Sequence, residues 1–124
     1  MANTKILIID DDEAWTRTLK RMLVGFEVVI CDSTAKAWTH LAENSFSAIL
    51  SDVHMPDETG VELLLKLELN FPQWVGRTVF MTGGSLSSHE LRTLLRSRRP
   101  ILQKPFFGAD LRAVLVELDA EARA

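Results

Sequence analysis

Five short apolar runs alternate with amphipathic segments along the chain, and this alternation restricts the fold more than any other feature. The runs cover residues 6–9, 28–31, 48–50, 78–81 and 101–103. Such runs, bounded by polar residues, are typical of strands buried on both faces, and helical connections make their sheet parallel. We therefore expect an α/β fold, a flavodoxin-like doubly wound sheet of five parallel strands in the order 2-1-3-4-5, with five helices.

The segments between the runs carry apolar side chains at helical spacing, which predicts the face that each helix packs on the sheet. The first helix is predicted to end at Gly25, and its inner face is Trp15, Leu19, Met22, Leu23 and Phe26. The second and fourth helices have the predicted inner faces Ala35, Trp38, Leu41 and Ala42, and Leu91, Leu94 and Leu95. The third helix is predicted over 61–69, and the last one packs through Phe107, Leu111, Val114, Leu115 and Leu118.

Length and composition restrict the class of protein. The chain has 124 residues, 47% of them hydrophobic, so we expect residues 1–124 to form a single domain. A formal net charge of −3 argues against direct nucleic-acid binding, and no apolar run approaches the ~20 residues that membrane insertion needs. The one cysteine, Cys31, is expected in the core, and with no signal peptide visible we expect a cytoplasmic location.

Polar residues follow four of the five runs, and a doubly wound sheet brings those ends into one crevice. They are Asp10 and Asp11 after the first run, Asp52 after the third, Thr82 after the fourth and Lys104 after the fifth. Clustered carboxylates repel one another unless a cation lies among them, and the cation expected with hard oxygen ligands is Mg²⁺. A lysine and a hydroxyl beside them suit the oxygens of a phosphoryl group.

Four motifs in this order resemble the receiver domain of bacterial two-component response regulators, of the chemotaxis-regulator-like type, along nearly the whole chain. They are Ile-Leu-Ile-Ile-Asp-Asp-Asp-Glu at 6–13, Ser-Asp-Val-His-Met-Pro at 51–56 with Gly60, Met-Thr-Gly at 81–83 and Gln-Lys-Pro-Phe at 103–106. The resemblance implies a switch in phosphorelay signalling, not a true enzyme, that assists its own phosphorylation and dephosphorylation. Its phosphodonor would be a histidine kinase or phosphotransfer protein, and its output a downstream protein partner.

The resemblance also implies a role for each matched residue. Asp52 becomes the phosphoacceptor, and Asp10 and Asp11 become the acidic pair beside it. Mg²⁺ would be held at this acidic cluster, with Asp11 and Asp52 as direct ligands together with the backbone carbonyl of His54. The peptide bond before Pro105 is expected to be cis. The remaining matches are Thr82, the switch hydroxyl, and Lys104, the phosphate-contacting lysine.

Other interpretations of the same residues stay open. An apolar run followed by Asp10 and Asp12 also resembles the nucleophile motif of haloacid-dehalogenase-type phosphatases, although that motif expects Thr or Val at the position of Ala14. A second alternative is a receiver-fold module that binds proteins without being phosphorylated. Taken alone, Asp52 could cap the following turn, and the acidic run at 10–12 could be an exposed turn near the positive end of a helix dipole.

Overall fold

Five parallel strands form one sheet in the order β2-β1-β3-β4-β5, which confirms the predicted fold. The structure is a computed structural model and describes residues 5–123. Its elements are β1 (Lys5–Ile9), α1 (Glu13–Met22), β2 (Glu27–Cys31), α2 (Thr34–Glu43), β3 (Ala48–Asp52), α3 (Gly60–Asn70), a 3-10 helix (Pro72–Arg77), β4 (Thr78–Thr82), α4 (Ser88–Arg96), β5 (Ile101–Gln103) and α5 (Gly108–Arg123). None of the described helices is long and apolar enough to cross a membrane.

The strand side chains alternate between two hydrophobic layers. Leu7 and Ile9 point to the layer that contains α2, α3 and α4. Ile6 and Ile8 point to the opposite layer, which contains α1 and α5. All four are fully buried because helices cover both faces of the sheet. This burial is why the strand appears in the sequence as a continuous apolar run rather than an alternating one.

Side-chain caps fix where the helices begin, and hence the length of the loops at the carboxyl edge of the sheet. Asp12 caps α1 by accepting from the Trp15 N–H, and Ser33 caps α2. The starts of α3 and α4 are capping boxes, in which Thr59 pairs with Glu62 and Ser87 with Glu90. Each of these four helices therefore begins at a defined distance from the strand end that precedes it.

The inner face of α2 was predicted only in part, since Leu41 is buried and Trp38 packs on the core as expected. Thr34, Ala37 and Leu41 are the buried residues of this helix, whereas Ala35 and Ala42 are exposed. Alanine is a poor indicator of the buried face, because its small side chain fits on either face of a helix. The polar Thr34 is buried at the first position of α2, where the loop after β3 covers it.

The inner face of α4 also differs from the prediction. Leu94 is fully buried, but Leu91 and Leu95 are 42% and 58% exposed. The sheltered positions beside Leu94 are Thr93 and Ser97, which are half-buried. Polar residues thus complete the inner stripe of α4, so a search for apolar spacing finds Leu94 but adds two exposed leucines to it.

Two helix ends lie elsewhere than predicted. The first helix ends at Met22 rather than Gly25, and Gly25 instead lies in the turn that follows, with φ +98°. Phe107 precedes α5 and is 79% exposed, because the helix begins only at Gly108. The prediction for Cys31 is confirmed, since its side chain is buried at the end of β2.

Gly60 provides a test of the packing that positions the loop after β3. A Cβ atom at Gly60 would lie 3.1 Å from the Val53 Cα and 3.2 Å from the Phe80 ring. We expect Gly60→Ala to lower the free energy of unfolding by about 1–3 kcal/mol, because the backbone of Val53 cannot yield freely. Gly76→Ala is the matched control, since a Cβ there meets nothing within 4 Å. Equal unfolding free energies of the two variants in urea would contradict this packing.

Candidate functional site

The predicted site residues gather at the carboxyl edge of the sheet. Asp10 directly follows β1, Asp52 ends β3, Thr82 ends β4 and Lys104 directly follows β5. One carboxylate oxygen from each of Asp10, Asp11 and Asp52 lies within 4.8 Å of the other two. The parallel order thus brings together groups as far apart in the sequence as Asp10 and Lys104, which are separated by 94 positions.

The Lys104 ammonium is paired with two of the three carboxylates. Its Nζ lies 2.7 Å from Asp10 Oδ2 and 3.3 Å from Asp52 Oδ2. The side chains of Lys104 and Asp52 are each 13% exposed, and that of Asp10 is fully buried. Ion pairs sheltered in this way are screened by salt much less than surface pairs. Lys104 therefore offsets part of the repulsion among the carboxylates.

Burial is the main influence on the pKa of Asp10. Removal from water raises its pKa above the ordinary value and outweighs the lowering by Lys104 and by the Asp12 N–H. The charge of Asp52 also raises the pKa of Asp10, but it is the smallest of these influences. Burial lowers the pKa of Lys104, yet its hydrogen bonds and charge interactions with Asp10 and Asp52 prevail and raise it. Lys104 is therefore held in its charged form.

The donor set fits a small, hard cation. Three carboxylates face one ammonium, so negative charge is left for a cation to offset. Asp11 is exposed and Asp52 is half-buried, so both can be reached from solvent. The oxygens of Asp10 are engaged, one by the Asp12 N–H at 2.9 Å and the other by Lys104. Carboxylates with room for water are the surroundings that Mg²⁺ prefers, so the predicted ion suits these residues.

Trp15 and Phe106 pack beside Lys104. The Trp15 and Phe106 rings meet edge to face, with centroids 4.9 Å apart. The Lys104 Nζ lies 6.0 Å from the Trp15 ring centroid, at the limit of a cation–π contact. The Lys104–Pro105 peptide bond is cis, as the resemblance implied. Trp15 is half-buried in the layer of α1 and α5, which agrees with its predicted packing role.

The Thr82 hydroxyl is directed into its own loop. It donates to the Gly84 carbonyl at 2.9 Å and accepts from the Gly84 N–H at 3.3 Å. Thr82 is buried, and no hydrogen bond joins it to Asp52 within residues 5–123. Gly83 and Gly84 place no side chain over the crevice, and a Cβ at Gly83 would meet only Lys104 Cδ, at 3.9 Å.

His54 contacts the site through its backbone and α4 through its side chain. Its N–H donates to Asp52 Oδ1 at 3.3 Å. Its Nε2 lies 3.0 Å from Glu90 Oε2. The family resemblance implied a role for the backbone carbonyl of His54 but not for its side chain, whose partner Glu90 is 36 positions away on another helix.

Asp57 ties the loop after Asp52 to α2, and it was also missed. Its carboxylate accepts from the Thr34 N–H at 3.2 Å, the Thr34 hydroxyl at 3.0 Å and the Ala35 N–H at 3.1 Å. Burial alone would raise the pKa of Asp57, but the hydrogen bonds from Ala35 and Thr34 together outweigh it and lower the pKa. No local pattern signals this contact, because the capped helix precedes Asp57 by more than 20 positions.

Known proteins resemble this chain in sequence and in structure. The family model described as "Response regulator receiver domain" matches residues 6–116. The chain is 30% identical over 116 residues to Two-component response regulator ORR26 of Oryza sativa subsp. japonica, covering 89% of this chain and 19% of that protein. It is 31% identical over 104 residues to Response regulator protein FleR of Pseudomonas aeruginosa, covering 82% of this chain and 22% of that protein.

Solved structures resemble nearly the whole chain. The receiver domain protein (CheY-like) from Methanospirillum hungatei JF-1 superposes with a TM-score of 0.82 at 28% identity, covering 97% of this chain and 99% of that one. The curated relatives are much longer, since the chain spans only 11% of rice ORR21 and 22% of FleR. The part that these relatives share with the chain is therefore one domain of a longer protein.

The lowered pKa of Asp57 makes the free energy of unfolding depend on pH. Its folded pKa is lowered, so its ionised form stabilises the fold above the ordinary unfolded value of ~3.9, and that stabilisation is lost as pH falls through the folded pKa. We expect Asp57→Asn to be less stable near neutral pH by up to about 1 kcal/mol, since the group is exposed. The difference should shrink below about pH 3.9.

Urea unfolding from neutral pH down to the lowest pH at which the protein stays folded measures this difference. Glu68→Gln, at an exposed carboxylate on α3, is the control and should show little effect at any pH. A deficit of Asp57→Asn that stays constant as the pH falls would show that the charge of Asp57 is not what stabilises the loop.

Proposed function

The chain belongs to the response regulator receiver domain family, and on that premise we propose that Asp52 accepts a phosphoryl group and thereby switches the binding of a protein partner. The observation that carries the proposal is the joint contact of Lys104 with Asp10 and Asp52 beside the exposed Asp11. The Asp52 carboxylate thus contacts a positive charge, and a phosphodonor can still reach it from solvent.

Asp52 is the nucleophile in this proposal. One of its carboxylate oxygens attacks the phosphorus in line with the donor bond. A new O–P bond forms as the bond from phosphorus to the donor's histidine nitrogen breaks, and that nitrogen keeps the electron pair. The product is an acyl phosphate on Asp52. Lys104, 3.3 Å from Asp52 Oδ2, is placed to offset charge on the phosphoryl oxygens.

Asp10, Asp11 and Asp52, with the backbone carbonyl of His54, are the groups that would hold Mg²⁺. When bound, the ion supplies positive charge to the oxygens of the transferring group. The His54 N–H donates to Asp52 Oδ1 and so orients the other oxygen of that carboxylate. Asp10 is the least accessible of the three carboxylates, and its contacts support a role in holding Lys104 as well as the ion.

Thr82 is the proposed switch residue. Its hydroxyl rests on Gly84, and it would exchange these hydrogen bonds for one to a phosphoryl oxygen on Asp52. That exchange displaces the loop between β4 and α4 and changes the surface that a partner meets. The same site residues also assist hydrolysis of the acyl phosphate. Because the chain acts on its own phosphoryl group, it is a switch and not an enzyme in the ordinary sense.

The proposed phosphodonor, partner and cellular location are those that membership of the family implies. The phosphodonor is a histidine kinase or phosphotransfer protein of a two-component system, and the output is a protein partner rather than nucleic acid or membrane. We place the protein in the cytoplasm and regard residues 1–124 as a single receiver domain of the bacterial, chemotaxis-regulator-like type. The net charge of −3 supports the exclusion of nucleic acid.

A phosphatase that uses Asp10 as its nucleophile is less well supported by the geometry. The Asp10 side chain is fully buried, so a substrate cannot approach its oxygens from solvent. A nucleophile needs a free lone pair that a substrate can approach, and Asp52, at 13% exposure, meets this need better.

Intact-mass measurement with acetyl phosphate and Mg²⁺ tests the proposed function. We expect one phosphoryl adduct on the wild type, which disappears when Mg²⁺ is chelated. Asp52→Asn should form no adduct, because an amide is not a nucleophile of this kind. Asp32→Asn is the matched control and should behave as the wild type, since Asp32 follows β2 at the same edge but pairs with Lys36 instead.

Three results would count against the proposal. An adduct that persists in Asp52→Asn would assign the chemistry to another carboxylate. Turnover of phosphomonoesters that depends on Asp10 would favour the phosphatase. No adduct on the wild type, with either acetyl phosphate or phosphoramidate, would favour a receiver fold that binds proteins without phosphorylation.

A further inference from the structure

We propose that Glu90 is a positioning residue that holds the His54 imidazole, ties the loop after Asp52 to the first turn of α4, and so stabilises the unphosphorylated arrangement. We refer to this hydrogen bond as the His54–Glu90 contact. The inference rests on the proposed function, because the contact affects signalling only if Asp52 takes a phosphoryl group. Nothing in the four sequence motifs requires a residue at position 90.

The His54–Glu90 contact joins the two loops that carry Asp52 and Thr82. His54 Nε2 lies 3.0 Å from Glu90 Oε2. An ionised carboxylate only accepts hydrogen bonds, so the imidazole donates, and it can do so whether neutral or protonated. The Glu90 side chain is 16% exposed and that of His54 is 48% exposed. Solvent therefore weakens the electrostatic attraction between His54 and Glu90 in part, although the two side chains stay in hydrogen-bond contact.

Glu90 cannot move independently of α4. Its Oε1 accepts from the Ser87 N–H at 2.8 Å, and its own N–H donates to Ser87 Oγ at 3.1 Å. These bonds form the capping box of α4. The hydrogen bond from Ser87, aided by His54, lowers the pKa of Glu90 and keeps the carboxylate ionised. Any displacement of the first turn of α4 therefore moves the group that holds His54.

The loop after β3, which carries His54, is also held in place. The His54 N–H donates to Asp52 Oδ1, and an isolated antiparallel bridge pairs the His54 backbone with Thr59 at the start of α3. Asp57 fixes the same loop to α2 by three hydrogen bonds. This loop is thus the more rigid of the two partners, and the contact lengthens when α4 moves.

Movement of Thr82 requires such a displacement. Its hydroxyl is bonded twice to Gly84, three residues before the cap residue Ser87. To reach a phosphoryl group on Asp52, the hydroxyl has to leave Gly84 and shift the segment that leads to Ser87. The His54–Glu90 contact resists that shift. By linkage, a contact present only in the resting state weakens the binding of any ligand that requires the switched state.

Glu90→Ala should therefore bind a phosphoryl mimic more tightly than the wild type. The probe is beryllofluoride in the presence of Mg²⁺, and the readout is the change in tryptophan emission, to which Trp15 contributes because its ring is 6.0 Å from the Lys104 Nζ. We expect the apparent Kd to fall roughly two- to fivefold, as for the loss of a partly screened charged pair. Loss of a merely structural contact would leave the affinity unchanged or weaken it.

Three variants separate the contact from general effects on the fold. Glu62→Ala is the matched control, because Glu62 forms the same capping box with Thr59 at the start of α3 and should leave the apparent Kd as in the wild type. In Glu90→Gln the amide oxygen can still accept from the Ser87 N–H, and the amide N–H can donate to His54 Nε2 when the neutral imidazole carries its proton on Nδ1, so this variant should restore wild-type affinity. In a His54→Ala background, Glu90→Ala should have no further effect, because the contact is already lost.

The outcomes distinguish this inference from the proposed function. If the wild type does not bind beryllofluoride with Mg²⁺, the proposed function fails and the inference fails with it. If the wild type binds, but Glu90→Ala matches Glu62→Ala or binds more weakly, the inference alone is overturned. Additive effects of His54→Ala and Glu90→Ala would also overturn it. Tighter binding by Glu90→Ala, restored by Glu90→Gln and absent without His54, supports it.

Discussion

The ion pairs of Lys104 with Asp10 and Asp52 determine what the carboxyl edge of the sheet can do. A buried carboxylate such as Asp10 is costly unless it is paired and hydrogen-bonded, and here Lys104 and the Asp12 N–H do both. Lys104 reaches Asp10 and Asp52 only because β1 and β3 are neighbours and β4 and β5 follow in parallel. The strand order therefore determines which charged side chains meet at the site.

The loops around this cluster are held with unequal strength. On the side of α2, the Asp57 carboxylate accepts three hydrogen bonds and anchors the loop after β3. On the side of α4, the loop after β4 is held by the contacts of Thr82 with Gly84 and by the single hydrogen bond from His54 to Glu90. The glycines at 83 and 84 add no packing there. Motion in response to a new group on Asp52 is therefore expected on the α4 side, because the Thr82–Gly84 bonds lie within that loop and one hydrogen bond, rather than three, ties it to another element.

The sequence was sufficient for the strands and for most of the candidate site, because both depend on local patterns. Buried parallel strands are short apolar runs, and the residue that ends each run necessarily lies at the carboxyl edge, as Asp52 and Thr82 do. The contacts of Asp57 and Glu90 were missed because their partners belong to other elements and have no fixed spacing in the chain. The inner faces of α2 and α4 were predicted only in part for a different reason, since polar residues such as Thr34 and Thr93 occupy some of their positions.

The most direct measurement is the position of the phosphoryl group after treatment with acetyl phosphate and Mg²⁺. Borohydride reduces an acyl phosphate at its carbonyl carbon, releases phosphate and leaves homoserine in place of the aspartate, which peptide mass spectrometry can locate. Homoserine at position 52 alone is the predicted result, because Asp52 is the carboxylate that both touches Lys104 and retains access to solvent. Homoserine at position 10 or 11, or a phosphoryl group that resists borohydride, would contradict the proposed role of Asp52.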